Sequence, residues 1–250
     1  FGTDAKSVQV GLAVDAGLRA ADLAAAGVGA EPEAVDIWAA LLAGGDAFRT
    51  VAPGPRGEAV PGGLAIKLSP CCYALQRPIA ATASLRGEVD PAKVEKVVVR
   101  APVGTVQPLI HSRPQTGLQA KFSLEYAVVA ALLDEHTGFA SFTDEAVKRP
   151  EAQRLVELVE VDLGPGGDWL LAGSTEVEVG TSSTTHRVSL EHPPGSPGRP
   201  PTDEQLRRKL ADCLSGLPVG PADLTWSDAA GLLRRTLATP APTPAPRSET

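Results

Sequence analysis

The chain has 250 residues, a formal net charge of −7, and a composition that is 43% hydrophobic but only 4% aromatic. That length allows one large or two modest domains around a core of mostly Ala, Val and Leu. The acidic balance with dispersed basic residues argues against nucleic acid and anionic membrane partners, and no apolar run approaches the roughly 20 residues that span a bilayer.

Lys6 to Ala26 has the spacing of an amphipathic helix: Val10, Val14, Gly17, Leu18 and Ala21 recur near i, i+3, i+4, and Gly27 and Gly29 stop it. Pro32 suits a first helical turn, and Ala34 to Ala43 reads as a second helix ending at Gly44-Gly45. Val51 to Gly63 is rich in Pro and Gly and marks a domain boundary. Cys71 to about Leu85 suits a helix, and Lys93 to Ala101, with Val94, Val97, Val98 and Val99, is a strand. Thr105 to Ile110 is a short strand or a loop. Lys121 to Asp134 is a helix that offers Phe122, Leu124, Val128, Ala131 and Leu132 to the core. A helix starting after Pro150 passes into an extended run from Leu158 to Leu163.

Val177 to Val179 and His186 to Leu190 alternate in polarity, and Gly180 to Thr185 links them as a hairpin. Pro193 to Pro201 is a second linker. Thr202 caps a helix through Leu214, Ser227 to Ala238 reads as a last helix, and the Pro, Ala and Thr of Pro240 to Thr250 make a disordered tail. The reading is an α+β protein with a helical segment at 1–52, an α+β unit with an antiparallel sheet at 53–194, returning helices at 195–239 and a tail at 240–250. Three cysteines, two of them adjacent, make no disulfide framework, so a reducing cytoplasm is expected.

The chemistry concentrates in Ile66-Lys67-Leu68-Ser69-Pro70-Cys71-Cys72-Tyr73-Ala74-Leu75-Gln76-Arg77-Pro78. Pro70 fixes its own φ and pushes Ser69 toward extended geometry, so a helix would begin just beyond it. The backbone N–H groups near Cys72 would then stand at a helix N-terminus, where anions are favoured, with Lys67 across the turn. A carboxylate fits such a place. No histidine and cysteine spacing suits zinc, and no glycine pattern suits a phosphate or dinucleotide.

Lys-x-x-Pro-Cys-Cys, followed by Tyr73 and Gln76-Arg77, resembles the site segment of the MmgE/PrpD family. Gly2-Thr3-Asp4-Ala5-Lys6 is similar to that family's Gly-Thr-x-x-Lys segment, and Lys121-Phe122-Ser123-Leu124-Glu125-Tyr126 to its Lys-Phe-Ser-x-x-Tyr segment. The resemblance implies an all-helical domain formed by both ends of the chain, with an inserted α+β lid and the site in the cleft between them. It also implies that this chain begins in mid-domain, so a fragment or half of a split enzyme is an expectation, as is a homodimer for the complete protein.

The activity so implied is that of a cofactor-independent, metal-independent lyase on a small di- or tricarboxylate. Dehydration of a 2-methylcitrate-like acid is the default, with cis-aconitate-like decarboxylation and iminodisuccinate-like epimerisation as alternatives. A non-catalytic remnant is the rival outside the enzyme class. Lys67, Cys72 and Tyr126 take catalytic positions by resemblance, and Lys6, Gln76 and Arg77 substrate-binding ones.

The residues themselves leave alternatives open. Lys6 and Lys67 could be solvated surface lysines, Cys72 a small buried hydrophobe, and Tyr126 core with its hydroxyl satisfied. Gln76 stands where many members of the family have His; an amide orients a carboxylate but is no general base. Arg77 pairs either with a carboxylate ligand or with a surface acid. His111 is the histidine nearest a matched block, and Cys71 and Cys213 read as packing thiols.

Overall fold

A computed structural model describes residues 3–43, 64–167 and 172–215. The chain divides into two units, residues 1–200 and 201–250. The first begins with helices α1 (Ala5–Ala25) and α2 (Ala34–Ala43). Then come α3 (Gln76–Leu85), β1 (Val94–Pro102), α4 (Gly117–Ala120), α5 (Leu124–Leu133), α6 (Asp144–Val147) and α7 (Pro150–Val156), followed by β2 (Val159–Gly164), β3 (Thr175–Thr181) and β4 (Thr185–Leu190). The described part of the second unit is α8 (Asp203–Cys213), opened by a capping box between Thr202 and Gln205. The fold is α+β. The linker expected at Val51–Gly63, the helix at Ser227–Ala238 and the tail lie outside the described residues.

Local chemistry sets the element ends. The amide N–H of Gly27 donates to Ala24 and that of Val28 to Leu23, with Gly27 at φ +90°, so α1 closes in a Schellman motif that only a residue tolerant of positive φ can make cheaply. The side chains of Thr116, Ser123 and Thr143 accept the backbone N–H three residues on, capping α4, α5 and α6. Pro150 opens α7, where a missing N–H costs nothing.

The sheet runs β2-β1-β3-β4. β1 pairs antiparallel with β3, and β3 with β4, which makes the expected hairpin. β2 corrects the antiparallel expectation: it pairs parallel to β1, with Val97 opposite Val159. The reason is the connection, since α4 to α7 carry the chain back across the sheet, a crossover that parallel neighbours need.

Period-two alternation gives the sheet two unlike faces. Val97, Val99, Val177 and Val179 are fully buried and join one core with α3, α5 and α7. From Tyr126 to Leu132 no residue of α5 exceeds 1% exposure, so this helix is buried all round rather than on one face. The other sheet face carries Lys96, Arg100, Glu160, Asp162, Glu176, Glu178 and Arg187, with Arg100 paired to Glu176 at 2.7 Å and to Glu178 at 3.0 Å. By contrast, α1 buries no side chain, and Val10, Val14 and Leu18 are exposed on it. Cys213, expected in packing, is exposed on α8.

Candidate functional site

Residues 64–67 form no regular element and lead into a bend at 68–71, after which the chain enters the helix that the sequence placed beyond Pro70. Three hydrogen-bonded clamps hold this run. Ile66 N–H donates to Gly195 O at 2.8 Å, the Gln76 amide holds Leu68 and Ser69, and Cys72 N–H donates to Lys121 O at 2.9 Å. Cys72 caps a 3-10 turn, Tyr73–Leu75, which leads directly into α3. Of the N–H groups near Cys72, that of Cys71 is taken by Ser69 O and that of Cys72 by Lys121 O, so neither of these two points at a ligand.

What the turn does present is positive charge beside thiols. Lys67 is exposed, while Cys71 and Cys72 are buried. Burial pushes the Cys71 thiol far above the ordinary cysteine range, with Cys72 adding to the rise and Lys67 and Lys121 opposing it. Cys71 therefore stays protonated at physiological pH and is no nucleophile. Both ammonium groups are near enough for their fields to reach the same sulfur.

Lys121 is the residue at this turn that sequence reasoning missed. It lies inside the quoted Lys-Phe-Ser segment, and that spacing was the available signal. The Cys72–Lys121 hydrogen bond brings its backbone to the turn, and its Nζ lies 6.0 Å from the centre of the Phe139 ring, over its face. His111 comes to the same place, since its N–H donates to Phe122 O at 3.3 Å. Its Nε2 is buried with no hydrogen-bond partner among the described residues, as is the Tyr73 hydroxyl.

The other expected site residues are distributed differently. Gln76 is 4% exposed and bonds to the turn at Leu68, Ser69 and Cys71. Arg77, 3% exposed, points away from it and donates to the carbonyls of Ala172, Gly173 and Glu191, tying α3 to the start of β3 and the end of β4. Burial lowers its pKa, against the fields of Tyr73 and Glu191. Tyr126 is fully buried, its hydroxyl donating to Ser141 O at 2.6 Å and its ring edge-on to Phe142. Burial raises its pKa, opposed by the nearby Arg149. Lys6 stands exposed on α1, in a surface recess shared with Thr3, Ala5 and Gln9. The described interactions at the Cys71–Cys72 turn run to Lys67, Ser69, Leu75, Gln76 and Lys121.

Fold and turn together define an α+β domain in which a two-lysine, two-thiol turn heads a buried helix. Residues 69–223 match the MmgE/PrpD C-terminal domain, and the chain belongs to that family. The match takes in Cys72, Gln76, Arg77, Lys121 and Tyr126 and begins just after Lys67. No curated protein matches the chain. Among the described residues, no helix is long and apolar enough to cross a membrane.

Proposed function

We propose that the chain serves a cofactor-independent lyase acting on a small di- or tricarboxylate, with dehydration of a 2-methylcitrate-like hydroxy acid as its reaction. The observation that carries this reading is that two lysines flank one turn, Lys67 five residues before Cys72 and Lys121 through its backbone bond to Cys72, in a chain of the MmgE/PrpD family. A carboxylate beside a carbon that loses its proton becomes enediolate-like, and fixed ammonium groups stabilise that developing charge. In this reading Lys67 and Lys121 hold the carboxylates, and Cys72 lines the reacting carbon. Lys6 adds a further cation for the acid. Arg77 and Tyr126, bound to backbone carbonyls, hold the frame around it.

Two related outcomes pass through the same kind of enediolate-like carbanion: decarboxylation of a cis-aconitate-like acid, in which loss of carbon dioxide leaves the electron pair that is then protonated, and epimerisation of an iminodisuccinate-like one, in which the proton is removed and returned to the other face. The test is proton NMR of each acid with the chain in heavy water, which reports deuterium entry beside the carboxylate and the product formed. An alkene appearing from 2-methylcitrate, lost in Lys67→Ala, is the expected result. Absence of both exchange and product with all these acids would overturn the reaction. A second reading, half of an assembled enzyme that binds its acid without turnover, draws on the uncovered apolar residues of α1 and α2, such as Leu18, Trp38 and Leu41.

A further inference from the structure

The carboxamide of Gln76 is fully engaged by a single stretch of chain. Its Oε1 accepts the N–H groups of Leu68 and Ser69, both at 3.1 Å. Its Nε2 donates to Ser69 O at 3.0 Å and to Cys71 Sγ at 3.4 Å. Two acceptor sites and two donor hydrogens are an amide's whole capacity, so no lone pair or proton remains for a ligand. The residue is also only 4% exposed, so almost none of it faces solvent.

We infer that Gln76 is a positioning residue and not a substrate contact: it fixes the Leu68–Cys71 turn and thereby holds the Lys67 ammonium in register with the buried thiol pair. The inference rests on the reading above for what Lys67 does, but the anchoring stands on geometry alone. Lys67 is the residue between two clamps. Ile66 behind it is bonded to Gly195, and Leu68 ahead of it is bonded to Gln76. A lysine on a loose strand would lose more side-chain and backbone freedom when it met a carboxylate; one held on both sides has lost its backbone share already. The chemistry also restricts the position. Glutamate offers the two acceptor bonds but no donor for Ser69 O and Cys71 Sγ, and an imidazole offers one donor and one acceptor at most while neutral. Only Asn or Gln carries both functions, and Gln has the reach used here.

The test uses the full chain with Gln76→Met, which keeps length and volume and removes all four bonds, and with Gln76→Glu, which keeps the acceptors. Amide hydrogen exchange at Leu68 and Ser69 should quicken by about tenfold or more in Gln76→Met and much less in Gln76→Glu, with α5 unchanged. Citrate, as the probe acid, should bind Gln76→Met about tenfold more weakly while Lys67 is present, and no more weakly than Lys67→Ala once both are changed. Losses that multiply in the double variant would mean that Gln76 touches the ligand itself and would overturn the proposal, as would unchanged exchange at Leu68 and Ser69. Should Gln76→Met not fold, loss of Ser69 and Cys71 anchoring in Gln76→Glu, read in the same cycle, decides it. If the native chain binds no citrate, the carboxylate reading fails, and the exchange data still decide the anchoring.

Discussion

Glu125 is a carboxylate in an unfavourable place. It sits in the first turn of α5, half-buried, and burial raises its pKa above the ordinary 4.5, against hydrogen bonds from its own backbone and from Ser123. Because the folded value exceeds the unfolded one, the ionised form costs stability wherever pH is above the folded pKa. That cost fades as pH falls through the folded value and is gone below the unfolded one. Glu125→Gln should therefore be more stable than the native chain at neutral pH, with the advantage vanishing in acid below the ordinary 4.5. Urea midpoints at the two pH values check it; equal differences at both would contradict the assignment.

At this scale the sequence announced residue types better than their partners. The segment from Lys67 to Arg77 stood out on composition, yet Gln76 and Arg77, neighbours in sequence, face opposite duties. One step along a helix turns the side chain by about 100°, sending Gln76 to the turn and Arg77 to the carbonyls of Ala172, Gly173 and Glu191. Lys121 was hidden for a similar reason: only the Cys72–Lys121 hydrogen bond, between residues 49 positions apart, brings it to the site.

Among the elements, the run and bend before α3 matter most, because they carry Lys67. Its upstream clamp depends on Gly195, whose φ is +89° and whose added Cβ would stand 2.1 Å from Ile66 O. Gly195→Ala must therefore both strain its own backbone and push Ile66 away. We expect a loss of about 2 kcal/mol in unfolding free energy, together with faster amide exchange at Ile66. A neutral Gly195→Ala would show that the clamp is unimportant. The strands themselves were legible: β-branched runs at β1, β3 and β4 place valines on one face and charges on the other. The parallel pairing of β2 was not, because strand direction is decided by where α4 to α7 return the chain and not by residues within the strand. The complete burial of α5 was also only half visible, since a helix of Ala, Val and Leu shows no polar face to contradict either one-sided or all-round burial.

Across the whole molecule, apolar surface is unevenly hidden. The sheet and α3, α5 and α7 share one core, while Val10, Val14 and Leu18 on α1 and Val35, Ile37, Trp38, Leu41 and Leu42 on α2 remain exposed. The charged sheet face ranges from exposed Asp162 to half-buried Glu178, and its solvent-exposed ion pairs contribute little to stability, since solvent screens them. The weight of the functional account thus falls on one turn, placed between Gly195, Gln76 and Lys121.

Its central claim is that this turn binds a small polycarboxylate through Lys67. The most direct measurement is thermal unfolding of the chain with citrate, 2-methylcitrate, cis-aconitate or iminodisuccinate, repeated on Lys67→Ala. A ligand that binds only the folded state raises the midpoint by mass action, by about 2.7 kcal/mol of stabilisation at a hundredfold excess over its Kd. A rise with at least one of these acids, abolished by Lys67→Ala, is the expected result. A cooperative transition that none of them moves, or a rise that survives Lys67→Ala, would contradict it.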